Sequence, residues 1–367
     1  MATKIHAKTE NFGIIRQNPA SAAATAYLAI GSTSNQWTNP GVAATDYRTI
    51  YLTPGSVVPD PNVQVDEYNL TSQLGLHKET TNTFINKVSG LKRMPFSAIA
   101  DLNTLAPFLV GAMQAVTEAG STPYQKTITS AFTAGTIDFN AGGGYLCTLA
   151  GKQGASDDDG WILENAIIDT LTLTWNFTQP GKGKLVGVNG VWVGNEFNTD
   201  QTLSGTWATT TPAGTITPFN NSDAWSFNTF DVGGVGFSAI CVKSISLTIN
   251  NNVTSNCATS DGKPNQYDVA PVYTWTISID HTSVTEKLVG DYQAGENVDI
   301  NFTTATASGS TGHFNLDMPK GIIISNPPGY DNNYKSHTIT VEAKQGTTVS
   351  PITILIADNL LWSYNDV

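Results

Sequence analysis

Between Ile162 and Trp192 the chain alternates apolar and polar residues with a period of two and breaks once, at a glycine-containing turn. Leu171, Leu173, Trp175 and Phe177 fall on one face of the first arm, and Thr170, Thr172, Thr174 and Asn176 on the other. That period belongs to a strand with one face buried. After Gln179-Pro-Gly-Lys-Gly183 a second arm, KLVGVNGVWVG, returns to Gly194, so the pair reads as a β-hairpin. No catalytic motif lies in it. A long hairpin with one polar face suits a wall that meets water or a partner.

Two further pairs repeat the pattern. Val63–Leu76 and Thr83–Phe96 are joined by His77–Asn82, and this hairpin carries the densest basic cluster of the chain: Lys78, Lys87, Lys92 and Arg93. Lys243–Val253 sets Ile245, Leu247 and Ile249 against Ser244, Ser246 and Thr248, and Val272–Thr282 repeats this with Trp275, Ile277 and Ile279. More strands are expected near 297–303, 313–317, 321–324, 336–343 and 350–357. One helical pattern stands out: Leu105, Phe108, Leu109, Ala112, Met113 and Val116 recur at helix spacing. Thr104 is placed to cap it, Pro107 falls in its first turn, and Gly120 follows its end. The expected fold is all-β with one packed α-helix. Residues 1–62 read as an extended N-terminal arm with edge strands at 26–30 and 49–52. Residues 63–367 read as a single β domain with loop insertions near 195–235 and 304–335.

Hydrophobic residues at 40% and charged residues at only 13% supply a core, and 33 glycines supply turns. The formal net charge of −12 is uneven, +2 over residues 1–100 and −14 over 101–367. Most of the chain should therefore repel nucleic acid, and no basic stripe, zinc finger or RNA-binding motif appears. Three scattered cysteines, Cys147, Cys241 and Cys257, cannot form a disulfide framework, which favours a reducing compartment. MATKIHAKTENF has no apolar leader core, and the longest apolar stretch, Leu105–Val116, is too short to cross a bilayer. The expectation is a chain neither secreted nor membrane-embedded. Asn-x-Thr sequons at Asn69, Asn176, Asn252 and Asn301 read as strand composition.

An active site is not expected. His6, His77, His281, His313 and His337 stand far apart without metal-ligand spacing, and read as solvent-facing. Gly142-Gly143-Gly144 lacks the Lys-Ser/Thr of a phosphate loop, and Asp157-Asp158-Asp159-Gly160 lacks the Ca²⁺-loop spacing and reads as a solvated turn. Trp161, Trp175, Trp192, Trp207, Trp225 and Trp275 raise sugar stacking as an alternative, but Trp175 and Trp275 sit on apolar strand faces and read as core. No cofactor or metal is called for.

Taken in order, the arm, the long hairpin, the helix, GGGY, LENAIIDTLTLTWN, GKLVGVNGVWVGN and KSISLTINNNV resemble the tail tube (major tail) proteins of long-tailed bacteriophages. The resemblance implies a β-sandwich or barrel whose inner strands join those of neighbours in a ring-shaped, sixfold β-barrel. It implies a non-enzymatic virion protein, made in the host cytoplasm, whose stacked rings form the conduit for DNA ejection. The implied partners are the chain itself, a tape-measure protein, a tail terminator and DNA passing without adhesion. On this resemblance the hairpins 63–96 and 244–282 line the lumen, with Asp66, Glu67, Glu79 and Asp280 as its acids. Lys78, Lys87, Lys92 and Arg93 would meet Asp157, Asp158 and Asp159 of an adjacent subunit or ring. The alternative is a carbohydrate-binding or adhesin-like β-sandwich, a virion decoration or receptor-binding protein.

Overall fold

A computed structural model describes residues 10–16, 48–53, 55–57, 63–69, 83–120, 124–130, 136–138, 146–153, 160–177, 185–201, 227–232, 235–236, 242–255, 266–280, 285–304, 309–331, 334–344 and 350–358. In chain order the elements are β1 (Glu10–Arg16), β2 (Arg48–Ile50), β3 (Val63–Asn69), β4 (Thr83–Ser89), β5 (Lys92–Ala100), α1 (Leu102–Met113), β6 (Gln114–Ala119), β7 (Tyr124–Ser130) and β8 (Thr136–Asp138). They continue with β9 (Cys147–Gln153), β10 (Gly160–Asn176), β11 (Val186–Gly194), β12 (Glu196–Gln201), β13 (Phe227–Val232), β14 (Val235–Gly236), β15 (Val242–Asn250), β16 (Thr254–Ser255) and β17 (Gln266–Asp268). The last are β18 (Val272–Asp280), α2 (Glu286–Ala294), β19 (Asn297–Thr304), β20 (His313–Ser325), β21 (Pro328–Asp331), β22 (Tyr334–Ala343) and β23 (Thr353–Asp358).

The alternation of 162–194 folds as the sequence implies: β10 and β11 pair antiparallel, and β10 takes β15 on its other side. Extending the ladders gives a front layer in the order β5-β11-β10-β15-β18-β22. Strand β20 is long and carries the sheet round a bend, its end pairing with β22 and its start with β23. From there a back layer runs β6-β7-β23-β20-β19-β13, so the whole sheet curls into a half-barrel. Register aligns one core row across the front, Ala98, Val188, Leu173, Leu247, Trp275 and Val341, every member buried. Val116, Ile128, Ile354, Leu316 and Phe302 form the matching row behind, and one hydrophobic core joins the two layers.

The first half of β10 belongs to another ladder, between β9 and β12, and a bulge after Ile168 marks the change. Asn165, at φ 50°, sits just before it. A small second core of Leu91, Leu146, Ile167, Val193, Val253, Tyr267 and Val269 fills the space beside this bulge.

Helix α1 is apolar on all sides, with every residue except Thr104 buried, as a helix inside a core must be. Its cap is Asp101, not Thr104: the Asp101 carboxylate accepts from the Thr104 N–H at 2.9 Å, and the Asp101 N–H donates to the Thr104 hydroxyl at 3.0 Å. The helix ends at Met113, because Gln114 turns left-handed (φ 66°) and opens β6, so Val116 is a strand residue. A second helix, α2, was not expected. The return arm expected over 83–96 is divided: β4 pairs with β3, and β5 restarts at Lys92 beside β11. The stretch 195–235, expected as loop, contains strands β12, β13 and β14, and the expected strands at 313–317 and 321–324 are one, β20.

Burial raises two phenols: Tyr267 well above the ordinary tyrosine value, and Tyr273 up to about 12. The fold holds both neutral, so the stability they confer is complete below the ordinary ionisation near pH ~10 and is lost as pH rises through about 12. Alkaline unfolding should therefore appear in that window as a cooperative gain of phenolate absorbance. Replacing both tyrosines with Phe should move the transition to higher pH.

Candidate functional site: two polar faces and their charges

A strand buried on one side presents its other side outward, and two such layers packed on one core give two opposite polar faces. On the front face, register sets Ser97, Asn189, Thr172, Thr248, Thr274 and Glu342 in one row. Ile99, Gly187, Thr174, Ser246, Thr276 and Thr340 form the next row. The Thr172 and Thr248 hydroxyls meet at 3.2 Å, a cross-strand pair that ties β10 to β15. On the back face the rows are Thr117, Thr127, Leu355, Asn315 and Thr303, then Ala115, Thr129, Thr353, Asp317 and Asn301, with β13 paired alongside them.

Charge is distributed differently on the two faces. At the front, Arg93 donates to Asp169 at 2.8 Å, Lys243 pairs with Asp280 at 2.9 Å, and Lys344 pairs with Glu342. Every one of these carboxylates has a cation from its own chain. Asp169 does more than pair: its other oxygen accepts the Val253 N–H at 2.8 Å, and the neighbouring Asn251 side chain donates to the carbonyls of Ala112 and Ile168. The arrangement fixes the foot of β5, the bulge of β10 and the end of α1 to one another.

The sequence-derived candidates separate accordingly. Asp280 lies at the end of β18 on the front face in its ion pair with Lys243. Lys92 is buried on the core side of β5, and Arg93 serves the Asp169 pair. Both are engaged within the subunit. Asp66 and Glu67 lie on β3 and Lys87 on β4, at register positions Asn86, Ile85 and Val65 respectively. Lys78, Glu79 and Asp157–Asp159 lie outside the described residues, as do His6, His77, His281, Trp207 and Trp225.

Two histidines correct the solvent-facing reading: His313 and His337 are buried, and the His337 ring meets Asn326 at 2.9 Å. His337 shares the core side of β22 with Ile339 and Val341, whereas His313 shares the outer side of β20 with Asn315 and Asp317 and is covered nonetheless; histidine spacing alone reveals neither. Trp175, Trp275 and Trp192 are core residues, and Trp161 packs between Phe12 and Phe197. Among the described residues no group of three or more His, Cys, Asp or Glu could hold a metal, and no helix is long and apolar enough to cross a membrane.

The half-barrel sheet with one core and two polar faces agrees with the outcome of family comparison. No curated protein matches the chain. The family described as phage tail tube protein matches residues 87–343, a span from β4 to the end of β22 that takes in most of both layers and the helix between them. The chain belongs to the phage tail tube protein family.

Proposed function

We propose that this structural protein assembles with copies of itself into rings, six subunits to a ring, which stack into the tail tube and conduct DNA out of the virion. The family membership places it in the virion tail, and one observation carries the finer reading: two six-stranded layers share a core and turn hydroxyl-rich faces both ways. Such a subunit can stand in a wall with one face toward a lumen and the other toward the exterior. Rings also protect strand edges that a lone sheet would leave open to aggregation. In this reading the chain is made in the host cytoplasm, surrounds a tape-measure protein during assembly and meets a terminator at the end of the tube. Outside β1 and β2, residues 1–62 act as an arm laid on a neighbour, while β1 and β2 join the wall domain of 63–367 through β9.

Electron microscopy of the purified chain tests this directly. Stacked rings or tubes are expected, and discrete particles that bind glycans would favour the adhesin-like alternative. For contacts between rings, Lys78 and Lys87 are the basic residues to pair with Asp157–Asp159, since Lys92 and Arg93 serve the subunit's own fold. Lys78→Ser with Lys87→Ser should give shorter tubes that come apart at lower salt, because salt screens the charge pairs that remain. Tubes of unchanged length and salt tolerance would remove these two lysines from the interface.

A further inference from the structure

Two faces of the sandwich could look into the lumen, and their charges distinguish them. We infer that the back face, the outer side of β7, β23, β20 and β19, is the wall that DNA passes. The inference rests on the tube reading.

A wall along which a polyanion slides must not offer it cations, because each neutralised phosphate releases counterions and adds affinity. The front face offers three cations: Arg93 and Lys344 are substantially exposed, and Lys243 partly so. Each is held by a carboxylate, and phosphates of a passing duplex would compete for it. The two central rows of the back face contain no Lys or Arg. Lys126, which belongs to the same strand as Thr127 and Thr129, points the other way, fully buried and 3.3 Å from Glu118. The nearest lysine along β20, Lys320, lies at the bend beyond these rows, next to the β-bulge opposite Val298.

The amides of the back face are also engaged within it. The Asn315 side-chain amide donates to the Thr303 hydroxyl at 2.6 Å, that hydroxyl donates to Asn301 Oδ1 at 2.8 Å, and the Asn301 amide faces Asp317 at 3.4 Å. This chain of side chains ends on a carboxylate. Asp317 and the exposed Asp299 make no ion pair among the described residues, and Asp231 takes the register position beside Asn301. The face is therefore acidic, with its amides turned to one another, and its remaining hydroxyls are neutral. On this assignment the lumen acids are Asp299 and Asp317, and Asp280 lies on the exterior.

Cysteine labelling of assembled tubes tests the orientation. With Cys241 and Cys257 replaced by Ser and the buried Cys147 retained, Thr353→Cys marks the back face and Thr276→Cys the front. A maleimide on a polymer too bulky to enter the tube should label both variants as dissociated subunits. In tubes, labelling at Thr353→Cys should be lost while a small maleimide still reacts, and labelling at Thr276→Cys should persist. The reverse pattern, or equal labelling of both sites in tubes, overturns the assignment and leaves the tube reading intact. Microscopy before labelling separates the other failure, since a chain that builds no tubes refutes the tube reading itself.

Discussion

Trp175→Ala should abolish both the stable subunit and the tube. Trp175 is fully buried on β10, in the front layer, and its ring meets Phe302 of β19 edge-on at 5.5 Å and Phe314 of β20 at 6.1 Å. The two phenylalanines, themselves edge-to-face at 5.6 Å, belong to the back layer. This aromatic triad therefore joins the two layers. Deleting a buried tryptophan side chain costs about 3–5 kcal/mol through lost transfer energy and the cavity left behind. Folded domains commonly have only about 5–15 kcal/mol in total. Urea unfolding should show a midpoint sharply lowered or a transition lost altogether, and no tubes should form. Trp175→Phe, which keeps an aromatic ring in contact with both partners, should lose much less. A change of under about 1 kcal/mol for the alanine variant would show that the layers are held elsewhere.

How far the sequence discloses this protein follows from what each signal measures. Alternation reports burial of one face, so β10, β11, β15 and β18 and the burial of Trp175 and Trp275 can be read from it directly. It says nothing about partners: the double membership of β10, split by the bulge after Ile168, leaves no mark in its run of apolar residues. Helix α2 escapes because only Leu288 and Asp291 are buried, too few to write an apolar stripe. The cap of α1 was misplaced by three residues because Asp101 and Thr104 both belong to the capping box, and spacing alone does not say which of them begins it. Charges show the limit most clearly. The sequence displays Asp280 as an acid on a polar strand face, but its neutralisation by Lys243 depends on strand register, as does the place of Asp317 beside the Asn301 amide on the other layer. The character of each face therefore becomes visible only when the ladders are known.

The second large effect concerns the charge that the back layer keeps inside. Lys126 and Glu118 face each other across β6 and β7 on the core side, with side chains 0% and 5% exposed. Removing one partner of a buried ion pair strands the other charge away from water and costs about 3–5 kcal/mol, whereas replacing both with apolar residues is often neutral or better. Lys126→Met should therefore destabilise the subunit severely, and Lys126→Met combined with Glu118→Leu should recover most of the loss, measured as unfolding midpoints in urea. If the single and double variants are equally unstable, these two charges are not coupled. The pair also makes a functional comparison possible. In the recovered double variant, Thr127→Lys places a lysine on the opposite side of the same strand, in the row of Asn315 and Thr303. If the back face lines the lumen, tubes of this triple variant should assemble yet retain DNA in a manner relieved by salt. The same lysine at Thr276 on the front face should leave DNA passage unchanged, because an exterior cation never meets the duplex.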